Sequence, residues 1–191
     1  MVDERSNILI DDGKVVTEFG IPRAELALEY ALTRKNPVYI RLNRNAMPDI
    51  DTDRDEFFKA RAVKMRSGKD VTIAANGITA SAAVEAGKLL EAEGIDAEIF
   101  SVPFVKPLDS TSIFESAEKT GALVTVEEHL LAGGFYSAIA EDGLKRGLKA
   151  KVAPIAIEDK FGETGPYLDL LAKYGLDSKS IANVVKKLLN K

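Results

Sequence analysis

Two groups of side chains in this 191-residue sequence carry atoms suited to chemistry. Arg44 stands in Asn43-Arg44-Asn45, just past an apolar run. Its guanidinium is a planar fork of donors that matches a phosphate dianion. Taken alone, such an arginine is more commonly half of a surface ion pair, and Asp49 and Asp51 are near enough in sequence to take it. Glu127, Glu128 and His129 form the second group. Two carboxylates favour the charged form of a neighbouring imidazole, which suits proton transfer near neutral pH. A histidine hydrogen-bonded to one of those glutamates at a domain or dimer interface uses the same three residues without any chemistry.

Composition removes other possibilities. There is no cysteine, so disulfides, thiolate catalysis and cysteine-ligated metals are excluded together, and a reducing, cytoplasmic setting is expected. His129 is the single histidine, so a Ser-His-Asp triad or a multi-histidine metal site would have to be built around it. A net charge of −4 with no basic stripe argues against a nucleic-acid partner. Apolar runs such as 71–75 fall far short of a membrane span, and the charged Met1-Val2-Asp3-Glu4-Arg5 is not a secretory signal. Asp49, Asp51, Asp53 and Asp55 alternate without the glycine and distal glutamate of a calcium loop. No Gly-x-Gly-x-x-Gly follows a strand, and Asn76-Gly77 reads as a tight bend rather than an anion site.

The elements that must position these groups alternate regularly. Residues 14–19 and 37–42 read as strands around a helix opening near Pro22, giving one β-α-β unit and then a loop over 43–48. The acidic stretch 49–57 reads as a linker. Strands follow at 61–65, 71–75, 97–102, 122–126 and 151–157, with helices near 78–93, 110–120, 135–146, 166–174 and 178–189. This alternation predicts a three-layer α/β/α sandwich on a mostly parallel sheet of about five strands. Residues 1–50 form the trailing β-α-β edge of another domain, because two strands cannot bury both of their faces, and 51–191 form the sandwich.

Three segments, in order, resemble the C-terminal portion of transketolases. Val38-Tyr39-Ile40-Arg41-Leu42-Asn43-Arg44-Asn45 is similar to the last strand of that family's pyrimidine-binding domain and the arginine turn after it. Lys106-Pro107-Leu108-Asp109, followed by Thr125-Val126-Glu127-Glu128-His129 and the pair Gly133-Gly134, is similar to the family's Lys-Pro-Leu-Asp turn and Val-Glu-Asp/Glu-His strand. Phe161-Gly162-Glu163-Thr164-Gly165 with Lys173-Tyr174-Gly175-Leu176 resembles its closing segment. The likeness runs from about Val15 to the C-terminus.

The resemblance implies an enzyme that moves a two-carbon ketol unit between ketose and aldose phosphates, using thiamine diphosphate and Mg2+. It implies that Arg44 grips the substrate phosphate. Glu127, Glu128 and His129 then belong at an interface rather than in a proton relay, since the family's catalytic histidines lie mainly in portions not found here. The family's Gly-Asp-Gly diphosphate anchor is missing from this sequence. The chain is therefore expected to bind neither cofactor nor metal alone and to be inactive alone. It is expected to work as a homodimer, with a separately encoded N-terminal portion, or both. The β-subunit of a 2-oxo-acid dehydrogenase, a deoxyxylulose-phosphate synthase and a purely non-catalytic assembly or regulatory domain are the alternatives.

Overall fold

The computed structural model describes residues 14–18, 21–42 and 54–191, with side chains from Arg23 onward. Arg44, the loop around it and the aspartates at 49, 51 and 53 lie outside the described residues. The centre of the molecule is the run Val71–Asn76 (β4), every residue of which is buried. It pairs in parallel with Ala97–Val102 (β5) on one side and Ala122–Leu130 (β7) on the other. Lys151–Ile157 (β8) extends the sheet beyond β7 in parallel, and Val63–Arg66 (β3) closes the other edge antiparallel to β5. The resulting order is β3-β5-β4-β7-β8. Near-continuous apolar strands of this kind require cover on both faces.

Each face receives its own helices. Thr79–Ala92 (α3) lays Ala80, Ala83, Ala86 and Leu90 on one face, backed by Ile181, Ala182 and Val185 of Ser178–Leu189 (α7). The opposite face is covered by Ile113, Phe114 and Ala117 of Ser110–Thr120 (α4), with Phe135 and Ile139 of Phe135–Arg146 (α5). Asp109 explains the Lys-Pro-Leu-Asp turn physically. One of its oxygens accepts the Ser112 N–H and caps α4, while the other accepts the Ala62 N–H and fixes the approach to β3. The three-layer sandwich follows the sequence pattern. No helix among the described residues is long and apolar enough to cross a membrane.

The first unit differs from expectation in two ways. Lys14–Glu18 (β1) and Val38–Leu42 (β2), joined by Ile21–Leu32 (α1), pair in parallel as expected. A third strand, Phe104–Lys106 (β6), pairs antiparallel with β1, so the sheet order is β2-β1-β6. The segment read as a linker also contains a short helix, Arg54–Phe58 (α2). Its reason is aromatic. Phe57 is fully buried against Tyr30 and Phe104, whose ring centroids lie 6.4 and 5.0 Å away.

Leu28, Leu32, Tyr39 and Leu42 of the first unit remain exposed, at 57%, 80%, 44% and 62%. Together they account for half of the exposed large apolar side chains among the described residues. Tyr167–Lys173 (α6) completes the elements.

Candidate functional site

In open α/β sheets the carboxyl ends of the strands are where ligands gather. Here those ends receive arginines from the first unit instead. Arg23 of α1, only 1% exposed, donates from Nη1 to Ser101 Oγ of β5 at 2.9 Å. Arg41 of β2 donates from both Nη1 and Nη2 to the Glu128 carbonyl oxygen, each at 3.3 Å.

The second candidate group lies inside β7, not after it. β4 follows β7 only as far as Val126, and the ladder with β8 shifts between Val126 and Leu130. Glu127, Glu128 and His129 occupy that irregular stretch. The Glu127 side chain is 1% exposed and straddles the N-terminus of α5. Oε2 accepts the Phe135 N–H at 2.5 Å and Oε1 accepts the Tyr136 N–H at 2.8 Å. A carboxylate placed there satisfies two donors that the helix cannot, and meets the positive end of the helix dipole.

The glycine pair makes this approach possible. A Cβ on Gly134 would lie 2.1 Å from Glu127 Oε2 and 2.7 Å from the Leu130 carbonyl oxygen. Gly133 has φ +78°, a left-handed conformation that disfavours other residues. At Gly134 the chain thus approaches Glu127 itself.

Electrostatics pull Glu127 both ways. Burial pushes its carboxyl up to about 7, against the two backbone donors and Arg41, all of which favour the ionised form. Burial also raises Glu128, opposed by the Tyr167 hydroxyl and Arg41. The Tyr167 hydroxyl at the start of α6 donates to Glu128 Oε2 at 3.1 Å. His129 Nδ1 lies 2.9 Å from the Leu130 carbonyl oxygen, so its observed partner is backbone rather than one of the neighbouring glutamates.

The structure therefore joins the three adjacent site residues with two that sequence reasoning missed. Arg41 stands between Ile40 and Leu42, an alternation that marks it only as a strand residue. Tyr167 carried no signal at all. Together they tie β2, β7, α5 and α6 into one cluster. Its donor set does not suit a divalent cation: the Glu127 carboxylate serves two backbone donors and that of Glu128 takes a hydroxyl. Among the described residues no three His, Asp or Glu side chains converge as a metal site.

Comparison with known proteins follows the geometry. Residues 60–181 match the family described as Transketolase, C-terminal domain. A 6-deoxy-6-sulfo-D-fructose transketolase subunit of Clostridium sp. (strain MSTE9) is 39% identical over 162 residues, covering 85% of this chain and 50% of that protein. A 1-deoxy-D-xylulose-5-phosphate synthase of Heliobacterium modesticaldum is 40% identical over 163 residues, covering 84% of this chain and 25% of that one. A solved structure described as a split gene transketolase, inactive beta4 tetramer, superposes with a TM-score of 0.88 at 37% identity. The match covers 95% of this chain and 59% of its counterpart. The chain thus spans between a quarter and about three-fifths of these three proteins.

Proposed function

Because this chain belongs to the transketolase C-terminal domain family, we propose that it is the C-terminal section of a two-part enzyme that moves a ketol unit between sugar phosphates. The observation that carries this reading is the apolar surface that the first unit leaves exposed. Among the described residues β2 is the outer strand of its sheet; its Tyr39 and Leu42 are exposed, as are Leu28 and Leu32 of α1. A surface of that kind is characteristic of an interface. We assign it to the body of the pyrimidine-binding domain, of which residues 1–50 are the trailing edge. Residues 51–191 are the C-terminal domain proper, with α2 packed back against the first unit.

The sequence carries no Gly-Asp-Gly anchor, and thiamine diphosphate and magnesium are both assigned to the completing section. Thiamine diphosphate, when bound there, supplies the carbon nucleophile for ketol transfer. The contribution of this chain is positioning. Arg41 and Tyr167 grip Glu128 from two sides and so fix where β2 ends, two residues before Arg44. Arg44 is assigned the substrate phosphate. Glu127 and Glu128 are interface residues, with His129 beside them, rather than a proton relay. Self-association and inactivity of the isolated chain are supported by the solved relative, an inactive β4 tetramer. A cytoplasmic location accords with the cysteine-free composition.

In the complete enzyme, Arg44→Ala is expected to raise KM for phosphorylated sugars by about ten- to a hundredfold, the size of one charge-assisted contact. Steady-state kinetics with phosphorylated donor and acceptor check this, and unchanged KM values would remove Arg44 from the site. The identity to a deoxyxylulose-phosphate synthase favours a second reading, with pyruvate as donor. Parallel assays of the complete enzyme with xylulose 5-phosphate and with pyruvate separate the two.

A further inference from the structure

A groove of about 340 Å³ runs between α5 and the start of β8, beginning at Tyr136 and leading along α5 away from Glu127. Ile139, Ala140, Gly143, Leu148 and Val152 line it, and Leu144 forms its rim with 84% of its surface exposed. Along α5 and its C-cap Gly147, Ala140, Leu144 and Gly147 are exposed at helical spacing, so small residues flank one large apolar knob.

The charges of α5 are arranged to match a reversed copy of themselves. Glu141 stands two residues before Gly143 and Lys145 two residues after it. Both are exposed, and neither takes an ion-pair partner among the described residues. β8 is the outer strand of its sheet, and Pro154 in its middle lacks the N–H that an added strand would need. A partner on this face must therefore pack through side chains rather than extend the sheet.

We propose that the α5–β8 groove is the surface through which two copies of this chain pair about a two-fold axis crossing α5 near Gly143. Antiparallel α5 helices then set Glu141 of each copy beside Lys145 of the other, and Leu144 of each over the groove of its partner. Such an isologous contact needs one self-complementary patch, which this helix provides. Specificity comes from the paired charges, while the buried leucine supplies most of the affinity. The inference rests on the reading that the chain associates with copies of itself, and it names the face.

Sedimentation velocity over a range of concentrations tests it. Leu144→Glu should weaken self-association by about thirtyfold or more, as loss of a central anchor does. Leu168→Glu, also open to solvent at 74% but on α6, should not. Glu141→Lys and Lys145→Glu should each weaken pairing, and mixing the two variants should restore it, because every facing pair is then opposite in sign. Circular dichroism verifies that the variants remain folded. A monomeric wild-type chain, or association unchanged by Leu144→Glu, overturns the proposal. Ketol transfer by the two sections together reports separately. A monomer that supports transfer overturns this face alone, whereas pairing through α5 without any transfer counts against the proposed function alone.

Discussion

Gly134→Ala is expected to remove about 4 kcal/mol or more of folding stability, a loss reserved for disrupted buried networks. The added Cβ would stand 2.1 Å from Glu127 Oε2, and 2.7 Å from a backbone oxygen that cannot swing aside. Relief requires the Glu127 carboxylate to leave. The Phe135 and Tyr136 N–H groups would then lack partners at a buried helix end, at about 1–3 kcal/mol each. Gly133→Ala is the control. Its Cβ meets nothing within 4 Å, so only the left-handed backbone at φ +78° opposes it, at about 1–3 kcal/mol. Urea unfolding of both variants checks the contrast. Equal losses at the two positions would mean that Glu127 does not anchor α5.

Stability should fall as pH rises from about 5 to 8, the reverse of the common behaviour of carboxylates. The Glu127 carboxyl is raised from 4.5 to about 7 by burial, so the folded chain holds its proton where the unfolded chain releases it. The stability contributed is complete below about 4.5 and is lost as pH rises through about 7, a change of about 3 kcal/mol. Glu128 is shifted in the same direction. Glu98 and Glu91 are lowered by their basic partners, so their contributions are lost as pH falls below about 4.5, outside this window. Urea unfolding in a pH series should show the decline, and Glu127→Gln should remove most of it. Stability that rises or stays level between pH 5 and 8 in the unaltered chain would contradict the buried-carboxyl account.

The sandwich was legible because its signals are local. The buried run of β4, the alanine-rich face of α3 and the capping Asp109 each announce themselves within one turn or strand. What escaped depends on distant partners. Phe57 and Phe58 lie in an acidic stretch with no periodicity, and only the arrival of Phe104 makes a helix there worthwhile. β6 spans three residues beside a turn, and its pairing with β1 is the reason it is extended at all.

The candidate site divides along the same line. Glu127, Glu128 and His129 are adjacent, and the glycine pair follows them within a few residues. Arg41 and Tyr167 reach Glu128 from 87 and 39 residues away, beyond any spacing rule. The placement of the three within β7, rather than after it, reflects a register shift against β8 that no alternation pattern encodes.

Reconstitution bears most directly on the central claim, that this chain is one section of a ketol-transferring enzyme. The chain would be mixed with a separately produced section carrying the Gly-Asp-Gly anchor and the pyrimidine-domain body, together with thiamine diphosphate and magnesium. Transfer from xylulose 5-phosphate to an aldose phosphate is then followed. Neither section should turn over substrate alone, and the mixture should. Turnover by this chain alone, or none from the two sections once they are shown to be associated, would contradict the account.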